Sequence, residues 1–143
     1  MTVKAILSRK GTDVVTVEPK TTLNDAVKLL GQRRIGAVVV TGAERRVIGI
    51  LSERDIVRAM GERGHQILDE TVDSVMTRRV VTCAEADTVA EIMERMTAGK
   101  FRHVPVIENG QLAGIISIGD VVKFRLEEIE KESEALKEYI LTA

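Results

Sequence analysis

Short unbroken aliphatic runs alternate along this chain with stretches in which apolar positions return every three or four residues. Val14 to Val17 is a β-branched run that stops at Pro19. From Thr22 to about Arg33, Leu23, Ala26, Val27 and Leu30 keep helical spacing, and Thr22 followed by Asp25 predicts an N-cap with an acidic variant of the capping box. Ala37 to Val40 and Val47 to Leu51 are continuous apolar strands joined by a polar hairpin loop, and a second helix starts at Ser52. The order strand, helix, strand, strand, helix then returns with Val80 to Cys83, Thr88 to about Ala98, His103 to Ile107, Leu112 to Ile116 and a helix from Ser117. The Glu108-Asn109-Gly110 loop is a tight hairpin signal. Unbroken strands beside amphipathic helices predict an α/β fold with sheets covered by helices on at least one face. Gly61 to Thr71, with two glycines and mixed charge, reads as a connector.

The recurrence holds residue by residue. Val14-Val15-Thr16 through Gly49-Ile50-Leu51-Ser52-Glu53-Arg54-Asp55-Ile56-Val57 returns as Val80-Val81-Thr82 through Gly114-Ile115-Ile116-Ser117-Ile118-Gly119-Asp120-Val121-Val122. Upstream, Val3, Ile6 and Leu7, followed by Ser8-Arg9, match Val72, Val75 and Met76, followed by Thr77-Arg78, if three extra residues are allowed around Gly11. Two copies of one unit predict a pseudo-twofold molecule whose function sits where the copies meet. The sequence divides into a first repeat with its N-terminal segment over 1–64, a second repeat over 65–125 and a C-terminal helical extension over 126–143.

Composition narrows the classes. With 143 residues, two half-size units fit only if they pack together, and with two Phe, one Tyr and no Trp their core is aliphatic. The formal net charge of -1 offers no electrostatic footprint for nucleic acid or an anionic membrane. A single cysteine, Cys83, excludes an internal disulfide and a cysteine-rich metal cage, and two histidines without ligand spacing predict no metal site. There is no signal-peptide pattern and no long apolar run, so a cytoplasmic protein away from membranes is expected.

The paired Gly-Ile-aliphatic-Ser-x-x-Asp motifs, the His103-Val104-Pro105-Val106 strand and the repeated element order resemble a tandem pair of cystathionine-β-synthase (CBS) domains. The resemblance implies a closely packed pulling-together of the two repeats as a pseudo-twofold pair. Between them it implies two clefts, which in that family commonly bind adenosine-containing ligands such as AMP, ADP, ATP, NAD(H) or S-adenosylmethionine.

The motif also has its own physics. A serine at the end of a strand and at the N-cap of the next helix sets backbone N–H groups and the positive helix end toward whatever lies beyond the strand, a favourable place for phosphate. Three residues on, Asp55 or Asp120 places a carboxylate that can accept hydrogen bonds from two adjacent ribose hydroxyls. The same Ser-x-x-Asp is a capping arrangement that stabilises a helix by about 0.5 to 2 kcal/mol without any ligand.

Basic residues precede the second strand of each copy: Arg33 and Arg34 in the first, Lys100, Arg102 and His103 in the second. In the family, the aspartate of one copy often works with basic residues of the other. Carried over, Asp55, Ser52 and Thr16 are completed by Arg102 and His103, while a second cleft joins Asp120, Ser117 and Thr82 with Arg34. The clefts are unequal, because Gly36-Ala37 stands where copy two has Arg102-His103. Ala37, Val38 and Ile50 in one cleft, and Val104, Pro105 and Ile115 in the other, are the candidates to sandwich an adenine, although each can equally be plain core.

Past the repeats, Val122, Leu126, Ile129, Ser133, Leu136 and Ile140 are spaced 4, 3, 4, 3 and 4, a heptad-like seam too short to stand alone. It packs on its own module or on the tail of a second chain, and a homodimer is expected. Walker-type, Gly-x-Gly-x-x-Gly and Ser-x-x-Lys motifs are all missing, so no catalytic residue and no catalytic cofactor is expected. The expected function is a regulatory module that senses an adenine nucleotide (AMP, ADP, ATP or NAD(H)) between its repeats and signals to an unidentified protein target by a change of packing. The alternative is a ligand-independent dimerisation or interaction module.

Overall fold

The computed structural model describes residues 1–142; Ala143, the last residue of the expected extension, lies outside them. Threonine caps start the first helix of each copy. Thr22 Oγ1 accepts from Asp25 N–H at 3.2 Å to open α2 (Leu23–Arg33), and Thr88 Oγ1 accepts from Glu91 N–H at 3.2 Å to open α4 (Val89–Gly99). Each helix ends on a left-handed cationic residue, Arg34 (φ 54°) or Lys100 (φ 57°).

In the first copy β1 (Thr16–Val17) runs parallel to β2 (Ala37–Thr41), which pairs antiparallel with β3 (Val47–Ser52). In the second, β4 (His103–Glu108) pairs antiparallel with β5 (Gln111–Ser117) across a turn in which Asn109 (φ 53°) and Gly110 (φ 77°) are both left-handed, as a tight primed hairpin requires. The expected edge strand over 80–83 is reduced to one parallel bridge, Cys83 to Val106, and Val14 and Val15 likewise fall outside β1. An edge run is held by hydrogen bonds on one side only, so β-propensity alone does not keep it in the ladder. Helices α3 (Glu53–Arg63) and α5 (Ile118–Thr142) follow the strands that end at Ser52 and Ser117.

Each copy has its own aliphatic core, but the leading segments are exchanged. Val3, Ile6 and Leu7 of α1 (Val3–Lys10) pack with Val89, Ile92, Val104, Val106, Ile116 and Phe124 of the second copy. Ile67, Val72 and Met76 pack with Leu23, Leu30, Val38, Val40 and Leu51 of the first. Backbone pairing repeats the exchange: Thr2 bridges Thr88, with Val3 N–H to Asp87 O at 2.8 Å, as Thr71 bridges Thr22, with Val72 N–H to Thr21 O at 2.8 Å. The stretch read as a connector, Gly61 to Thr71, is therefore built structure: it holds the end of α3 and a 3₁₀ turn (His65–Asp69) with Ile67 fully buried, and a second 3₁₀ turn (Val72–Ser74) follows it.

The motif glycines explain how the segments fit. A Cβ on Gly114 would lie 2.7 Å from Leu7 Cδ2, and one on Gly49 would lie 2.5 Å from Met76 Sδ and 3.1 Å from the Thr77 carbonyl. Close approach of the crossing segment requires glycine at both places. Along α5, Val121 and Phe124 are buried, whereas Ile118, Val122, Leu126, Ile129, Leu136 and Ile140 are 44% to 64% exposed. The seam thus does not pack on its own module.

Candidate functional site

A cleft of about 570 Å³ opens between the copies, bounded by the end of β3 and the start of α3 on one side and by the end of α4, the start of β4 and the 77–81 segment on the other. Ser52 and Asp55 form a complete capping box. Ser52 Oγ accepts from Asp55 N–H at 3.3 Å, and Asp55 Oδ2 accepts from Ser52 N–H at 2.9 Å and from Ser52 Oγ at 3.1 Å. Asp55 Oδ1 points the other way and accepts from Thr77 Oγ1 at 3.1 Å. A hydroxyl rotates freely, so this oxygen can exchange Thr77 for a ligand hydroxyl without leaving the helix uncapped.

The positive charge comes from side chains rather than from the helix start. Glu53 N–H donates to Gly36 O at 2.9 Å and Asp55 N–H to Ser52 Oγ, so these first-turn amides are already used, contrary to the expectation that they face a phosphate. Instead Arg54, Arg58, Arg79, Lys100 and Arg102 line the cleft against the carboxylates of Glu53 and Asp55. Arg54 crosses from one copy to the other, its Nη1 donating to the Lys100 carbonyl at 3.1 Å. The apolar lining is Ile50, Val80, Val81 and Phe101.

His103 stands at the floor of this cleft, with Cε1 only 3.4 Å from where a Gly36 Cβ would be. Burial pushes its pKa below the usual value; the carboxylates of Glu53 and Asp120 oppose that shift, while Lys10 and Arg102 reinforce it. It is therefore neutral at neutral pH.

Ile50, Ser52, Asp55, Arg102 and His103 line one cleft, and Gly36, expected beside Asp120 instead, lines the same one. Thr16 does not line it; it pairs with Val39 inside the first sheet, and Val80 and Val81 of the crossing segment take that wall. Val38 and Val104 are fully buried and Ala37 and Pro105 are buried, and none of the four lines this cleft. Arg54, Asp55 and Arg58 share one helix face, a spacing visible in the sequence. Thr77, Arg79, Val80 and Val81 carry no such signal, because they reach the cleft only through the exchange of leading segments.

The counterpart centred on Asp120 is differently furnished. Ser117 and Asp120 repeat the capping box, with Ser117 N–H and Oγ each 2.9 Å from Asp120 Oδ2. Lys10 Nζ donates to the same Oδ2 at 2.6 Å and to the Ile115 carbonyl at 2.9 Å. Burial pushes the Asp120 carboxyl up, but the Lys10 ammonium and the Ser117 hydrogen bonds outweigh it and hold the pKa below 3.8. Arg34 is exposed at the end of α2, and Thr82 is exposed with its carbonyl accepting from Arg95 Nη1 at 3.3 Å.

A pseudo-twofold pair of α/β repeats with a charged cleft between them defines a class, and the sequence comparison agrees. Residues 3–62 and 72–127 match the CBS domain, and the chain belongs to the CBS-domain family as a tandem pair. A CBS-domain-containing protein of Agrobacterium tumefaciens has the same fold with a TM-score of 0.84 and 53% identity, over 87% of this chain and 99% of that one. A CBS domain protein from Pyrobaculum aerophilum, solved in complex with AMP, aligns with a TM-score of 0.74 at 28% identity over 84% of this chain and 89% of its own. A mitochondrial CBS domain-containing protein of Arabidopsis thaliana is 35% identical over 83% of this chain, which spans 60% of that protein.

Proposed function

We propose that the protein is a regulatory module that binds an adenine nucleotide in the Asp55 cleft and reports it to a partner protein through a change in packing. The observation that carries this is the gathering, in one cleft, of a carboxylate oxygen held by a rotatable hydroxyl and five cationic side chains, Arg54, Arg58, Arg79, Lys100 and Arg102. Asp55 reads the ribose hydroxyls and the arginines hold the phosphates. Five cations against two carboxylates favour AMP, ADP or ATP, with the pyrophosphate of NAD(H) as a further possibility, over the cationic S-adenosylmethionine. The AMP complex of the Pyrobaculum relative supports the same ligand class. Because the cleft walls come from both repeats, a ligand that touches both favours one relative packing by its differential affinity.

The exposed α5 seam suits a second copy of the chain. A parallel, in-register pairing sets Arg125 of one chain opposite Glu130 of the other and Glu132 opposite Lys137, so charge favours that orientation. The competing reading, a ligand-independent interaction module, draws on the capping boxes, which satisfy both aspartates without a ligand.

Thermal unfolding against AMP, ADP, ATP, NAD+, NADH and S-adenosylmethionine separates the two. A ligand at about 100 times its dissociation constant adds roughly 2.7 kcal/mol. The expected result is a shift with phosphate-bearing ligands that vanishes in Asp55→Ala, each protein compared with its own ligand-free baseline because the variant also loses a cap. No shift with any ligand, or an equal shift in Asp55→Ala, refutes nucleotide binding in this cleft.

A further inference from the structure

We infer that Lys10 is a built-in occupant of the Asp120 cleft that closes it to outside ligands, so that each chain takes up one nucleotide rather than two. The second half of that statement rests on the nucleotide reading above; the latch itself does not.

The two clefts differ at equivalent positions of the repeat. In the Asp55 cleft the crossing segment leaves its 3₁₀ turn at Ser74, and Thr77 is fixed to Ile50 by reciprocal backbone hydrogen bonds of 3.0 and 2.9 Å. Arg79 is then left lining an open cavity, and among the described residues Asp55 keeps a hydroxyl partner but no cation. In the Asp120 cleft the extra residues around Gly11 let α1 continue as a helix to Lys10, with Gly11 at φ 94° ending it there. Lys10, the counterpart of Arg79, comes off the last turn and reaches in.

Its ammonium donates to two acceptors. Asp120 Oδ2, at 2.6 Å, is the capping oxygen, the counterpart of Asp55 Oδ2, and the Ile115 carbonyl, at 2.9 Å, is the backbone acceptor whose equivalent at Ile50 is taken by Thr77 N–H, so the second motif carboxylate is already paired with a cation. The Lys10 and Asp120 side chains are only 29% and 20% exposed, so the pair is partly withdrawn from water and less screened than a surface contact. A ligand diol in this cleft meets a carboxylate already neutralised by a cation, whereas in the Asp55 cleft it displaces one rotatable hydroxyl. At the repeat positions of Arg102 and His103 the first copy has Gly36 and Ala37, so it offers no equivalent cation for a phosphate beside Asp120.

Two measurements on the full chain test this. In calorimetric titration with AMP, ADP and ATP, the wild-type protein is expected to bind one equivalent per chain. Lys10→Ala is expected to bind a second, weaker equivalent that disappears in Lys10→Ala/Asp120→Asn. Two equivalents in the wild type, one of them lost in Asp120→Asn alone, overturn the latch, as does a Lys10→Ala protein that still binds only one. Independently of any ligand, a thermal double-mutant cycle of Lys10→Met and Asp120→Asn is expected to be non-additive, the double variant losing less melting temperature than the two single losses together. An additive cycle overturns the latch. A wild-type protein that binds no nucleotide while the cycle is non-additive instead removes the nucleotide reading and leaves the latch in place.

Discussion

Gly114→Ala tests the exchange of leading segments at its tightest point. The added methyl would sit 2.7 Å from Leu7 Cδ2 and 3.0 Å from Cδ1, well inside van der Waals contact. Leu7 is 4% exposed and packed among Ile6, Val104 and Ile116, so it has no free direction in which to retreat. Overpacking of this kind costs about 1 to 3 kcal/mol. At roughly 2 to 4 °C per kcal/mol for a chain of this size, the melting temperature should fall by about 2 to 12 °C. Leu7→Ala alone should cost about 2 to 5 kcal/mol as a core truncation. In the double variant the new methyl points into the space the leucine vacates, so the combined loss should be smaller than the sum by about 1 to 2 kcal/mol. Gly31→Ala is the control: a Cβ there meets nothing within 4 Å inside α2, and the substitution should stabilise by roughly 0.5 to 1 kcal/mol. Urea and thermal unfolding of the four variants measure all of this. A neutral Gly114→Ala, or strict additivity with Leu7→Ala, refutes the docking of α1 on the second copy.

His103 sets a pH dependence. Its folded-state pKa lies below 6.5, so its contribution to stability is complete above that value and is lost as the pH falls toward the folded pKa. A bound phosphate favours the protonated ring, so affinity for AMP or ATP should rise below about pH 6.5 and the trend should be absent in His103→Asn; a pH-independent affinity in the wild type contradicts the placement of phosphate beside this residue. Leu126→Lys with Leu136→Lys should convert a dimer to a monomer in sedimentation or light scattering while each repeat keeps its fold, because neither side chain packs on its own module; an unchanged mass removes the seam as the interface. The Cys83 thiol, its pKa pushed up to about 12 chiefly by burial, should react with a thiol reagent only as the protein unfolds, and rapid modification of the native protein contradicts its burial.

How far the sequence carried the reading follows from the range of the forces involved. Caps at Thr22, Ser52, Thr88 and Ser117 were legible because a hydroxyl and an amide three residues apart decide them. The paired Ser-x-x-Asp motifs marked Ser52 and Asp55 for the same reason, whereas Arg102 and His103 were brought to their cleft by the resemblance to CBS pairs and not by any spacing. Burial of Val38, Val104 and Pro105 was not legible, since an apolar strand residue beside a cleft and one beneath it have the same composition. Nor was the wall formed by Thr77, Arg79, Val80 and Val81: the periodicity of Val3, Ile6 and Leu7 gives a buried face but no indication of which copy buries it. Lys10 fell outside every motif, and only the three-residue difference around Gly11 marked the place where the copies diverge.

The exchanged segments also govern the order in which the chain can be completed. Helix α1 is synthesised ahead of both repeats, and the native neighbours of its Val3, Ile6 and Leu7, Ile116 and Phe124, follow more than a hundred residues later. Until then those side chains have no permanent cover, and the first repeat lacks its own closing residues until Ile67, Val72 and Met76 appear. The closure is long-range and slows folding, because loop entropy is lost before the contacts that reward it form. In exchange, neither repeat is a separable half: cutting the chain at residue 64 would strand one hydrophobic face and uncover another. The two copies are thereby bound to unfold as a single cooperative unit rather than as two beads on a string.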